Sequence, residues 1–527
     1  MAFFAVFAIA MVIGAYLFVL LLAAACVLLP YFALTNSESG SGQLLLLFLF
    51  GIVIAATMVW SLIPRRDKFT APGMLLARAA HPKLFAELDG IAAALSEKVP
   101  GEVYLIGEPN AFVADRGGVM GFGSRRVMGL GLPLLALLTV SEFRAVLAHE
   151  FAHYYGGDTS LGPWVYKTKT SMVRIFENIG SVGELARIAI LGLMYMVVAT
   201  LLKWFFMAFL RGINVVSRKQ EYRADELACL IAGRRNLISG LQALHRAATA
   251  WTAYWNNEVA PALNDGSLVA VGEGFCRFVS VPEISAAISK GLETRLREEK
   301  TQPYDTHPPL RDRMAAAEKL SDSAVAQDSQ PASSLLENLP AAEMQFVENL
   351  IPDLPAGTLN YVGWDEVAMR VTIPGWRKFV SEYAEPLQGV KAESLPDHVS
   401  KFRQIGSRIR DPKGMLLSPE QRTVRAAGLF AAALALRMTE QGWKIEVQPG
   451  IFRIFKADRE FNPFLAVQQL LAGKMSPDQW RTQCRELDLS EIVLATQQDD
   501  PTMKPQSDSA QAELFGVGSG KDPVNQP

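Results

Sequence analysis

Two long uncharged stretches at the start of the chain limit what it can fold into. Residues 2–29 contain no Asp, Glu, Lys or Arg, and residues 43–63 repeat the pattern. Each exceeds the roughly 20 residues a helix needs to cross a bilayer core. The first lacks the basic n-region of a signal peptide and is longer than a usual h-region. A small-residue run ends at Cys26 as in a lipoprotein, but 27–34 continues apolar, which a lipoprotein does not need. The pair therefore predicts a retained transmembrane helical hairpin over 1–64. Its connector, "TNSESGSG", carries no Lys or Arg, whereas the second span exits into "PRRDK" with Arg65, Arg66 and Lys68. Positive flanks stay inside, so the ends of the hairpin and the chain just after it are expected in the cytoplasm.

The chain has 527 residues, enough for two or three folded units. Its net charge of −2 argues against a nucleic-acid partner, which needs a basic surplus. Cys26, Cys229, Cys276 and Cys484 form no C-x-x-C pair and read as free thiols in a reducing compartment. After the hairpin, 82–98 reads as an amphipathic helix, followed by short β-like runs "EVYLIG", "AFVAD", "GVMGFG" and "RRVMGLG". Thr139 and Glu142 then fit a capping box that opens a helix, with Gly156 and Gly157 as its stop.

Inside that helix lies "AVLAHEFAHYYGGDTS" (145–160). Phe143, Leu147 and Phe151 fall on one stripe that should face the core. His149 and His153 lie on the other side with Glu150 beside them, so two imidazoles can meet one metal ion while the carboxylate faces a bound water. With six histidines in the chain, chance produces this spacing with odds of roughly a few in a thousand. Zinc needs a third protein ligand. Gly156 matches one known arrangement, but its ligand position holds Thr159, whose neutral hydroxyl is a poor donor. "SRKQEYRADELACLIAG" (217–233) offers Glu221, with Asp225 one turn on. Taken alone, Glu221 beside Lys219 and Arg223 reads as a solvated helix glutamate.

In this order, "PNAF" (109–112), "VLAHEFAHYYGGDT", "SRKQEYRADELA" and "THPPLRDRM" (306–314) resemble the M48 family of membrane-linked zinc metallopeptidases, gluzincins that include the bacterial inner-membrane stress protease and the CAAX prenyl endopeptidase. The resemblance covers about residues 75–320. It implies that His149, His153 and Glu221 hold one Zn2+ per chain and that Glu150 is the general base. It also implies that Asp225 fixes a ligand histidine, and that His307 approaches the site to steady the oxyanion or cover the metal. The strand opening at Asn110 and Ala111 would bind the substrate backbone. His81, His245 and His398 have no acidic or thiol company at ligand spacing.

The stretch 187–211 is apolar enough to span once, interrupted only by Lys203. A single crossing would put Glu221 across the membrane from the two histidines, so an odd number is excluded. The preceding "KTKTSMVRIFENIGSVGE" reads as too polar to supply a second. The expectation is that 187–211 is buried in protein, lies on the interface, or enters and leaves on the cytoplasmic side, with a kinked, shallow hairpin as the competing arrangement. A snorkelling Lys203 is tolerable there.

The expected fold is α+β and mostly helical. It comprises the transmembrane hairpin at 1–64, a zincin-type catalytic domain with a small β-sheet at 72–319, a polar linker at 320–337, a C-terminal α+β domain at 338–496 and a disordered tail at 497–527. In the C-terminal domain, 426–438 reads as a buried helix and 443–455 as a β-hairpin around Pro449 and Gly450. The expected function is zinc-dependent endopeptidase action on protein or peptide substrates at the cytoplasmic face of a bilayer, the bacterial inner membrane. The alternatives are a narrow processing peptidase of prenyl-protein type and a catalytically weak, membrane-anchored scaffold. Substrate identity and oligomeric state are not legible in the sequence.

Overall fold

The computed structural model describes residues 2–495 except 38–41, 64, 66, 119–122, 156–161, 184–188, 301, 303, 323–324, 352–356 and 411–416. The expected helix stop at Gly156 and Gly157, position Thr159, Arg187 and the expected tail all lie outside the described residues. The chain divides into two compact units, one of Met1–Ala248 with Lys290–Glu337, the other of Thr249–Ser289 with the chain from Asn338 on. This differs from the expected boundaries in two places. Residues 249–289 belong with the second unit. The stretch 320–337, expected to be a polar linker, packs into the first: Val140 N donates to Gln330 O and Ala332 N to Leu138 O, both at 2.8 Å, and Ala332 is fully buried. Its Ser-rich, Gln-rich composition conceals three apolar residues, Ala332, Leu335 and Leu336, that suffice to seat it.

In the first unit, α1 (Ala2–Thr35) and α2 (Gly42–Leu62) form the N-terminal hairpin. Gly51 lies so close to the Cys26 carbonyl that any Cβ would overlap it, which explains a glycine at this helix crossing. A four-stranded sheet follows, built from β1 (Met74–Leu75), β2 (Glu102–Ile106), β3 (Ala111–Arg116) and β4 (Arg125–Gly131), with α3 (Pro82–Ala94) between β1 and β2. Its strand order is β1-β2-β4-β3; β2 and β4 are parallel, and β3 pairs antiparallel to β4 as an edge. Next come the short α4 (Leu132–Leu137), α5 (Val140–Ala152), α6 (Gly162–Val182), the 44-residue α7 (Ala189–Ala232) and α8 (Arg234–Tyr254).

Among the described residues three helices, α1, α2 and α7, are long and apolar enough to cross a membrane. They share one core with α6. Along α7 the neighbours on α1 run in reverse order: Phe205 stacks on Phe18 at 4.0 Å, and Gly212 meets Met11. The apolar part of α7 therefore lies antiparallel beside α1, with Leu193, Met196, Leu201 and Trp204 facing outward. Phe176 of α6 packs on Phe206 at 5.5 Å, and Gly183 lies against Tyr195. Helices α6 and α7 are thus a second hairpin alongside the first. From Ala189 on, the apolar stretch therefore packs in protein against α1 and α6, and the stretch that reads as too polar in sequence is its partner. The polar groups of α6 are absorbed locally. Asn178 Nδ2 donates to Ser61 Oγ at 2.9 Å, Arg174 Nη2 to Ser171 Oγ at 2.8 Å, and Thr168 Oγ1 to Trp164 O at 2.8 Å. The C-terminal part of α7 brings Glu221 to α5.

The second unit begins within α8 and continues through α9 (Ala260–Asn264), β5 (Ser267–Val269), α10 (Val271–Ser280) and part of α11 (Pro282–Glu298); α12 (Leu310–Glu318) belongs to the first unit. It resumes at α13 (Leu339–Leu350), β6 (Asn360–Val362), α14 (Ile373–Glu382) and α15 (Phe402–Gly406). The core forms around α16 (Pro419–Glu440), in which Leu429 to Ala435 are all buried. The expected hairpin is present as β7 (Lys444–Gln448) and β8 (Ile451–Lys456), turned at Gly450 with φ 74°, and β9 (Arg459–Glu460) adds a third strand. Helices α17 (Pro463–Leu471) and α18 (Pro477–Glu486) close the unit.

Candidate metal centre

Helix α5 starts as its sequence dictates. The Thr139 hydroxyl accepts from Glu142 N at 3.2 Å and Glu142 Oε2 accepts from Thr139 N at 2.9 Å, which is the capping box. Phe143, Leu147 and Phe151 are all buried and fix the rotation of the helix. That rotation turns His149 toward α7, while His153 sits at the C-cap, still in helical conformation. The two imidazoles meet edge to face with centroids 4.8 Å apart. On α7, Glu221 and Asp225 are 4% and 2% exposed.

Ligating atoms of His149, His153 and Glu221 all lie within 4.8 Å of one another. His149 Nε2 is 3.5 Å from Glu221 Oε2, and His153 Nε2 is 3.5 Å from Glu221 Oε1. Donors around a tetrahedral zinc ion with bonds of about 2.0–2.2 Å stand roughly 3.3–3.6 Å apart. Glu221 Oε2 is buried and makes no hydrogen bond among the described residues. The chemistry of the donor set therefore fits zinc, and the two His–Glu221 separations match its tetrahedral spacing. No other group of His, Cys, Asp and Glu among the described residues comes together in this way.

Asp225 Oδ1 lies 2.9 Å from His149 Nδ1, so the ring donates there and keeps the Nε2 lone pair for the cluster. Arg313, on α12, clasps Asp225 beside the His149 ring: Nη2 donates to Oδ1 at 2.6 Å and Nε to Oδ2 at 2.9 Å, with Nη2 3.3 Å from His149 Nδ1. Its Nη1 is 3.5 Å from Glu221 Oε2. Two carboxylates against one guanidinium leave a negative excess before Glu150 is counted, which suits a divalent cation. The sequence reading gave Arg313 no role. Its signal was available in "THPPLRDRM", six residues after His307, but the partner stands 88 positions away.

Burial and the Arg313 charge pull the His149 imidazole down, but the Asp225 and Glu221 carboxylates beside it prevail and hold it up at about 9. A metal ion must displace that proton to bind. Burial, then the neighbouring His149, depresses His153 to about 4, so it is neutral, the form that ligates. Burial pushes the half-buried Glu150 up to about 7. His307 Nδ1 is 3.0 Å from Glu221 Oε1, and its side chain is 61% exposed.

Asn110 and Ala111 stand apart from these contacts, at the start of the edge strand. Asn110 is exposed and accepts from the Ala111 amide at 2.9 Å, while Ala111 is buried. Further along β3, Val113 O points away from β4 and accepts from Tyr154 OH at 3.0 Å, tying the edge strand to the end of the histidine helix. Of the remaining histidines, His81 accepts from Glu337 N at 3.3 Å, and Nδ1 of His245 lies 2.8 Å from Leu241 O.

Residues 79–321 match the model of peptidase family M48. Over 312 residues the chain is 24% identical to the protein named protease HtpX homolog 2 of Methanosarcina mazei, covering 58% of this chain and 94% of that one. It is 29% identical over 195 residues to protease HtpX of Ectopseudomonas mendocina, covering 36% and 56%. It is 36% identical over 119 residues to protease HtpX of Stutzerimonas stutzeri, covering 21% and 40%. The chain thus spans only about half the length of these two bacterial relatives. No solved structure matches the chain. A four-part sequence pattern, a three-residue donor cluster drawn from two helices and the matching family model agree: residues 79–321 of this chain are similar to peptidase family M48.

Proposed function

We propose that this chain is a zinc-dependent endopeptidase that cuts protein substrates at the cytoplasmic face of its membrane, in bacteria the inner membrane. The observation that carries the reading is the convergence of His149, His153 and Glu221 beside Glu150. His149, His153 and Glu221 would hold one zinc ion, with Asp225 and Arg313 fixing the His149 ring and the Glu221 carboxylate. When bound, zinc supplies Lewis acidity toward water and the scissile carbonyl. Glu150 takes the proton of the attacking water and returns it to the departing amine. His307, exposed beside Glu221, donates a hydrogen bond to the carbonyl oxygen as negative charge develops on it.

The open edge of β3, from Asn110 and Ala111 onward, gives an extended peptide backbone groups to pair with. Because Tyr154 already occupies the outward carbonyl of Val113, pairing is expected to be strongest before that residue. The lack of basic residues in the 35–42 connector, against Arg65 and Lys68 after α2, favours a cytoplasmic catalytic unit.

The test is hydrolysis of fluorescent casein by the detergent-solubilised, zinc-loaded chain. Glu150→Gln is expected to keep its zinc and lose roughly 10²–10⁴-fold in kcat. Wild-type activity in Glu150→Gln would end the hydrolytic reading. For orientation, Ser37→Cys is expected to react with an impermeant thiol reagent added outside intact cells, while Ser217→Cys is not. The reverse pattern would place the site outside.

A further inference from the structure

The backbone that presents His307 is neither helix nor strand from Tyr304 to Pro309. An exposed side chain on such a loop keeps a fixed place only if the backbone beneath it is held. Three contacts from α7 hold it. Asn214 Nδ2 donates to Tyr304 O at 2.7 Å, Arg218 Nη1 donates to Asp305 O at 3.0 Å, and the Arg211 guanidinium lies over the Tyr304 ring at 5.3 Å.

Arg211, Asn214, Arg218, Glu221 and Asp225 follow one another at spacings of three and four, which places them on one stripe of the helix. The stripe that supplies a metal donor thus also anchors the loop bearing His307. Asn214 is the informative member. It is 1% exposed beside the buried Ile213 and Val216, and its amide oxygen has no partner among the described residues. A buried acceptor left unpaired is costly, so a position serving packing alone would carry an apolar residue. What the amide accomplishes here is its bond to the Tyr304 carbonyl.

We propose that Asn214 and Arg218 are positioning residues for hydrolysis, holding the backbone at Tyr304 and Asp305 so that His307 stands beside the metal donors. The inference rests on the reading of this site as a hydrolytic centre in which His307 serves the carbonyl oxygen. Neither residue touches the reacting groups, so their effect must pass through His307. That dependence separates positioning from a merely structural role.

The experiment is a double-mutant cycle on casein hydrolysis by the full-length, zinc-loaded chain in detergent, with Asn214→Leu and Arg218→Met made alone and together with His307→Ala. Leucine fills the site of the asparagine and removes its unpaired amide oxygen together with the bond to Tyr304 O. Asn214→Leu is expected to lower kcat roughly 10-fold with KM within about twofold, zinc content unchanged and Tm not lowered. His307→Ala is expected to lose roughly 10²-fold, and adding Asn214→Leu to it should cost little more, because the group being positioned is gone. Losses that multiply would overturn the inference, as would a silent Asn214→Leu beside an impaired His307→Ala, or a silent His307→Ala. Glu150→Gln is run alongside. If it stays active, the hydrolytic reading itself has failed; if it is inactive and the cycle multiplies, only the positioning has.

Discussion

Two carboxylates are buried to nearly the same degree, Glu221 in the first unit at 4% exposed and Glu343 in the second at 1%, and they are held in different ways. Glu343 spends both oxygens on backbone amides: Oε2 accepts from Val271 N at 3.1 Å and Oε1 from Gly272 N at 2.7 Å. Those amides open α10 and would otherwise be orphan donors at a helix start. Glu343 is a helix cap supplied from another element. Burial pushes its carboxyl up to about 7, against the lowering pull of the two amides. Glu221 is surrounded instead by the imidazoles of His149, His153 and His307 and by the Arg313 guanidinium, and one of its oxygens makes no hydrogen bond among the described residues. One carboxylate completes the fold; the other keeps electron pairs that nothing in the described polypeptide takes up. Burial alone does not distinguish them, but their partners do.

The contrast is open to breaking by substitution. The largest effect is expected at Glu150→Gln beside Glu343→Gln. The first should lose roughly 10²–10⁴-fold in kcat, while the second leaves casein hydrolysis within about twofold, as its single amide oxygen can still accept from one of the two N–H groups. Loss of activity in Glu343→Gln with an intact fold would mean that the second unit takes part in the chemistry. A smaller effect is expected at Asp225→Asn, which weakens the grip on the His149 ring and should cost about 10–100-fold in zinc affinity by competition with a chelator. Unchanged affinity would detach Asp225 from the metal site. The smallest is expected at Glu343→Ala, which strips two buried amides of their acceptor. It should destabilise the second unit by about 2 kcal/mol in urea unfolding followed by tryptophan fluorescence, with zinc content unchanged. Zinc loss in that variant would blur the distinction between the two carboxylates.

Legibility in the sequence followed range. The capping box at Thr139, the buried stripe of α5, the α16 helix and the Pro449-Gly450 hairpin are set by residues within a turn or two of one another, and each is where local pattern placed it. The strand order β1-β2-β4-β3, with its parallel β2–β4 pair, depends on contacts that no local period encodes. The clasp of Arg313 on Asp225 went unread for the same reason. In α6, composition misled: its Lys, Arg and Asn residues suggested an element unfit for a helical bundle. Hydrogen bonds from Asn178 and Arg174 to Ser61 and Ser171 absorb much of that polarity beside the apolar helices. The assignment of 249–289 to the second unit rests on pairings such as β5 with β6, separated by almost a hundred residues of chain. Within the site, the histidine pair was legible as a pair, whereas Glu221 needed the family resemblance, since its surroundings in sequence are charged and its surroundings in space are not solvent.

The account turns on Glu221 being a metal ligand rather than a buried structural carboxylate, and the most direct test is the zinc content of the purified chain by mass spectrometry, for wild type and Glu221→Ala with Glu343→Ala as the control. Wild type and Glu343→Ala should carry about one zinc per chain, and Glu221→Ala should lose most of it, because a structural or catalytic zinc site needs at least three protein ligands. A folded Glu221→Ala that retains the wild-type amount would contradict the account.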